Sequence, residues 1–104
     1  MWHMVYKIYG KGHLLYVGEG SDVDARVDFH SKNAPWFKEA DWIKECWLPN
    51  KEVAVMYETY LINTEKPSEN KQKNNNSDMS IVTFDEDSIM WLDGHLNGHL
   101  RENY

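Results

Sequence analysis

The sequence predicts a small α/β (α+β) domain built in the order hairpin, helix, strand, helix. Three observations predict it. Residues 2–9 and 14–17 are aromatic or β-branched and flank Gly10-Lys11-Gly12-His13, a run with hairpin turn chemistry. Residues 41–48 form a further apolar run (Trp42, Ile43, Cys46, Trp47, Leu48) closed by Pro49-Asn50. Between 52 and 63, Val53, Met56, Tyr57, Tyr60 and Leu61 recur at the spacing of a buried helical face.

The elements can be justified in order. A turn centred near Lys11 would set Tyr6 opposite Tyr16, and cross-strand partners share a face, so both phenols would point to one surface. A one-residue slip would separate them, and the register is open at this level. Ser21-Asp22 offers an N-cap for a helix over 23–30, with Val23 and Val27 as its apolar stripe. Arg26 and His30, four apart, share a face of that helix, and Asn33-Ala34-Pro35 ends it. In the longer helix, Glu58 lies on an apolar shoulder between Val55 and Ile62. A carboxylate there is paired with a lysine such as Lys7 or Lys44, bound to a metal, or at the rim of a cleft. Residues 71–77 are polar and of low complexity and read as a linker. Beyond them, 79–84 reads as a short strand and 85–92 as a capped helical turn.

Composition narrows the classes. At 104 residues the chain is one domain, with five Trp, six Tyr and three Phe to fill a small core. No apolar run approaches a membrane span, so no membrane role is expected. The start of the chain lacks the pattern of a secretory signal, and the lone Cys46 cannot form an internal disulfide, so a cytoplasmic setting is expected. The net charge of −6 opposes phosphate binding, but after residue 77 six acids face one base, Arg101. The first 77 residues therefore carry a net charge of only −1.

The triplets Met4-Val5-Tyr6 and Tyr16-Val17-Gly18, followed by Arg26 ten residues after Tyr16, then His30, Glu58, Pro67 and Asn70, make an ordered set. Over residues 4–70 this layout resembles the GIY-YIG nuclease superfamily. The resemblance implies a mixed or antiparallel three-stranded sheet flanked by helices at 1–77; 78–104 lies outside it and reads, from its apolar residues Ile81, Val82, Phe84, Ile89, Trp91 and Leu92, as an acidic extension packed on that domain. The resemblance also implies hydrolysis of nucleic-acid phosphodiesters, DNA being the expected substrate, single- or double-stranded, with one divalent metal, Mg2+ or Mn2+. Glu58 matches the metal ligand, Tyr6 the residue that activates water, Tyr16 a phosphate or metal-water contact, and Arg26 the stabiliser of the transition state. His30 and Asn70 match supporting positions; Lys7, beside Tyr6, is a further supporting candidate. Trp36 is a candidate substrate contact through stacking. Met4 stands where the family has glycine, and Ala25 where several relatives carry a base; neither removes a catalytic group. A single-domain protein of this kind would take its targeting from loops, a homodimer or a partner protein, and its size suggests phage or bacterial origin.

The chemistry is coherent from the residues upward. A guanidinium can hold two phosphate oxygens at once. A divalent ion stabilises the leaving oxygen and acidifies bound water. A tyrosine becomes a base at neutral pH only if its surroundings lower its pKa, which Arg26 and a metal would favour. A second class of function is a nucleic-acid-binding module with a weak or vestigial site. The acidic tail could alternatively regulate by covering the Arg26 face. His95 and His99 have zinc-compatible helical spacing, although Gly94 and Gly98 oppose a helix there.

Overall fold

In the computed structural model the described residues are 1–70 and 84–96. They form β1 (His3–Gly10), β2 (His13–Gly20), α1 (Val23–Asn33), a short 3-10 helix (Pro35–Glu39), β3 (Trp42–Leu48) and α2 (Lys51–Glu65). A second 3-10 turn (Glu86–Ser88) and β4 (Leu92–His95) complete them. The sheet is antiparallel with the order β2-β1-β3-β4. The α/β (α+β) class holds, but the sheet has four strands rather than three. The fourth comes from the acidic extension, where a helical turn over 85–92 was expected. Only the Asp85-capped turn at 86–88 is helical, and Leu92 already pairs with Glu45. The strand expected over 79–84 falls largely outside the described residues, and Phe84 itself is not in a strand.

Local chemistry fixes the helix ends. The Asp22 carboxylate accepts from the Ala25 amide and starts α1, while the Asn50 side chain accepts from the Val53 amide and starts α2. Pro35 bars further α geometry at Ala34, which is extended, and opens the 3-10 helix. Trp36 thus sits on a short helix instead of a loop. Lys66 adopts left-handed backbone to terminate α2.

The sheet buries two faces. On one, Met4, Tyr6, Ile8, Leu15 and Ile43 pack with Val23 and Val27 of α1 and with Phe37 and Leu96. On the other, Val5, Val17, Cys46 and Leu48 pack with Ala54, Tyr57, Leu61 and Ile62 of α2. Cys46 is a free thiol in this core, where burial pushes its pKa up to about 12. The buried stripe of α2 is rotated from expectation: Met56 is exposed, and Ala54, Glu58 and Ile62 are buried instead. Three helical positions four apart share a face, so Glu58 lies within the buried stripe and not on its shoulder.

The described part of the extension lies against the α2 side and the β3 edge, and its last described residue, Leu96, enters the α1-side core. Phe84, Ile89 and Trp91 pack on the α2-side core, and the Tyr57 hydroxyl donates to Glu86 at 2.7 Å. Among the described residues no helix is long and apolar enough to cross a membrane.

On its outer side β2 is bound by the segment after α2. Asn70 accepts from the Val17 amide at 2.9 Å and donates to the Val17 carbonyl at 3.0 Å, pairing one side-chain amide with one peptide unit. Asn70→Ala removes both bonds and should cost about 1–3 kcal/mol. Urea denaturation measures that loss, and hydrogen exchange at the Val17 amide should accelerate with it.

Candidate active site

The hairpin determines which side chains meet. Lys11 and Gly12 both have positive φ, making a two-residue turn of the kind that suits the strand twist. From that turn Gly10 pairs with His13 and Tyr9 with Leu14, a register that would set Tyr16 opposite Lys7. A β-bulge intervenes: Tyr9 pairs with Leu14 but Ile8 pairs with Tyr16, leaving Leu15 as the extra residue. Tyr6 therefore faces Gly18, not Tyr16 as a turn centred on Lys11 would give. Tyr16 nevertheless lands on the Tyr6 face, two positions along, with ring centroids 6.3 Å apart.

The space for this is made by Gly18. A Cβ there would overlap the Tyr6 hydroxyl and ring and press on Tyr16. Gly20 plays a smaller part, since a Cβ would lie 3.2 Å from Cγ of Arg26. The spacing role of Gly18 was not evident from sequence, although its place opposite Tyr6 in the hairpin is the signal that could have found it.

Helix α1 brings two further groups. The Tyr6 hydroxyl and Nε2 of His30 are 3.0 Å apart in a buried contact, and the Arg26 guanidinium acts on the Tyr6 oxygen as a hydrogen-bond donor. The His30 ring lies edge-on to Tyr16 at 4.6 Å. Trp36 stacks on Tyr16 at 5.2 Å and lies 5.4 Å from His30, so it adjoins the same cluster. Glu58, 8% exposed, is close enough for its charge to act on both phenols. Tyr6, Tyr16, Arg26 and His30 are thus brought to one place, with Trp36 at its margin and the Glu58 charge felt from α2. Asn70 stands one shell away and acts through Val17.

Lys7 does not join them. Strand alternation sends it to the opposite face, where Nζ lies 3.2 Å from both carboxylate oxygens of Glu65 and 4.7 Å from the centre of the Trp91 ring. Its expected role as a supporting site residue is replaced by a structural one beneath the extension. Lys44, the other lysine considered for Glu58, lies 3.6 Å from Asp93. His95 is on β4 with its ring edge-on to Trp42 at 4.4 Å, not on a helix; His99 is outside the described residues.

Electrostatics give each group a protonation state. Burial raises the Tyr6 pKa, the neighbouring Tyr16 adds to this, and Arg26 opposes it without prevailing. Tyr16 is raised as well, by burial first and Glu58 second. The expectation that Arg26 would turn a tyrosine into a ready base is therefore reversed in the protein alone. Burial and then the Arg26 charge lower His30 to about 4, so it is a neutral imidazole at pH 7. A neutral phenol and a neutral imidazole then share a hydrogen bond in which, for the tautomer protonated at Nδ1, the phenol donates to Nε2.

Metal capacity is limited to one carboxylate. Among the described residues no group of three or more His, Cys, Asp or Glu side chains could hold a metal ion. Glu58 is a carboxylate whose charge acts on both phenols, a hard oxygen donor that suits a hydrated Mg2+ or Mn2+ and not a zinc cage. With this geometry in hand, comparison with known proteins gave no match to a protein-family model, a curated protein or a solved structure.

Two outcomes are expected. Gly18→Ala should destabilise the fold by about 1–3 kcal/mol and shift the Tyr6 ring signals in NMR spectra, because the ring must move. The pH dependence follows from His30: its folded pKa lies below the ordinary 6.5, so its contribution is complete above pH 6.5 and fades as pH falls towards 4. Wild type should lose on the order of 2 kcal/mol more than His30→Gln between pH 7 and pH 4.5, as measured by denaturant unfolding at each pH.

Proposed function

We propose that this protein is a metal-dependent endonuclease of GIY-YIG type that hydrolyses phosphodiester bonds of DNA. The observation that carries the reading is the gathering of two phenols, one guanidinium and one neutral imidazole on the α1 face of the hairpin, within reach of the charge of the buried Glu58 carboxylate on α2. Arg26 binds the non-bridging oxygens of the scissile phosphate and stabilises the charge that builds there during attack. Tyr6 orients the attacking water through its oxygen. As a proton leaves that water, the Tyr6 hydroxyl proton can pass to Nε2 of His30, which is unprotonated at neutral pH. Such a relay needs no standing phenolate, so the raised pKa of Tyr6 is compatible with catalysis. Tyr16 contacts the phosphate beside it. Glu58 would hold one Mg2+ or Mn2+, which when bound supplies Lewis-acid stabilisation of the leaving oxygen.

A second reading is a nucleic-acid-binding module with a weak or inactive site, acting through a partner protein. The raised Tyr6 pKa and the net charge of −6 favour it. The two readings part on cleavage of labelled DNA with Mg2+, Mn2+ or EDTA. The nuclease reading expects metal-dependent cutting that falls at least about a hundred-fold in both Arg26→Ala and Glu58→Gln. Binding with no cutting under any metal condition would leave the module. Below pH 5, cutting should decline as His30 protonates and loses its capacity to accept the Tyr6 proton.

A further inference from the structure

On α1, Arg26, Phe29, His30 and Asn33 follow one another at helical neighbour spacing, so the stripe that carries Arg26 and His30 also carries Phe29. Phe29 is 54% exposed. A single exposed phenylalanine is ordinary in itself. Its position is less so: its ring stands 6.1 Å from His30 on one side, and Trp36 lies 5.4 Å from the same imidazole on another. Trp36 is half-buried and stacked on Tyr16, so an indole held by the fold and an open phenyl ring flank the catalytic cluster.

Charge sharpens what these rings could bind. The α1 stripe that carries Phe29 offers a single cation, Arg26, since Lys32 lies off that stripe, paired with Asp28 at 3.1 Å, and the chain's net charge is −6. Duplex DNA is held chiefly by neutralising many phosphates, which this surface does not offer. Stacking on aromatic rings is independent of basic charge, but it requires base faces freed from the helix. Resting on the nuclease reading above, we propose that the substrate is single-stranded DNA, with an unpaired base next to the scissile phosphate lodged against Trp36 and Phe29. The strand would run along α1, its phosphate at Arg26 and the adjoining base over the aromatic margin. Affinity then comes from stacking, and strand preference follows from it.

Binding of a labelled oligothymidylate and of a blunt duplex to the full chain, in EDTA so that neither is cut, tests this directly. The oligothymidylate should bind at least about ten-fold tighter, with a shallow dependence on salt. Phe29→Ala, an exposed position whose loss leaves the core intact, should weaken it about five-fold or more, and Phe29→Tyr should restore it. Trp36→Phe should weaken it less than Trp36→Leu. Equal binding of duplex and single strand, unchanged affinity in Phe29→Ala, or no binding of either DNA overturns the proposal. The cleavage assay keeps the two readings apart: duplex cut as readily as single strands removes this inference and leaves the nuclease. Phe29-dependent single-strand binding without any cutting leaves the inference and removes the nuclease.

Discussion

Strand pairing ties each position of β1 to one position of β2, and a two-residue turn at Lys11-Gly12 would by itself set Tyr6 and Tyr16 on opposite faces. One extra residue, Leu15, reverses that outcome. The bulge turns both Leu15 and Tyr16 towards α1, while Leu14 and Val17 on either side still serve the α2 core. The rest of the candidate site depends on this. The phenols become neighbours, Gly18 comes opposite Tyr6, and α1 meets a tyrosine pair with His30 and Arg26. The same alternation carries Lys7 through the sheet to Glu65 and Trp91. A bulge near a cluster of polar side chains is a common means of re-aiming one residue without breaking the ladder.

Burial then decides how the cluster is protonated. A phenol next to a guanidinium would be acidified in water, yet the low-dielectric surroundings of Tyr6 outweigh that attraction. The same surroundings, with Arg26 adding to them, keep His30 neutral. The two shifts are complementary. A neutral phenol and a neutral imidazole share a hydrogen bond, and the Arg26 charge acts on the same phenol. Glu58 adds a negative charge within reach of both phenols, which is where a divalent cation would offset it. Positive and neutral donors surround the place proposed for phosphate, with the carboxylate set apart on α2.

Much of this arrangement was legible in the sequence because it rests on local signals. The hairpin turn, the Asp22 cap, Pro35 and the apolar periodicity of 52–63 have short-range signatures, and they fixed β1, β2, α1 and α2 within a few residues, although the capping role of Asn50 was not read. The pairing of Tyr6 with Tyr16 and of Arg26 with His30 on shared faces was readable from spacing, while joining them with Glu58 in one site was what the family resemblance implied. What was not legible depended on long-range packing. Leu15 has no composition that marks it as a bulge, so the right face was reached through the wrong register. Leu92-Asp93-Gly94-His95 is too short and glycine-containing to read as a strand, and it becomes one because the β3 edge needs partners. Met56 and Ala54 exchange places on α2 because the small residue lets the helix approach the sheet. Lys7 was assigned to the site by proximity in sequence to Tyr6, which strand alternation contradicts.

The central claim is that the bulged hairpin gathers the phenols, the guanidinium and the imidazole on its α1 face, within reach of the Glu58 charge, where the proposed metal would bind. Titration of Mn2+ into isotope-labelled protein, followed by NMR, tests it most directly. Paramagnetic broadening should appear first at Glu58, Tyr6 and Tyr16 and spread to Arg26 and His30. Broadening centred on the acidic residues of the extension, with Tyr6 and Tyr16 left sharp, would contradict the account.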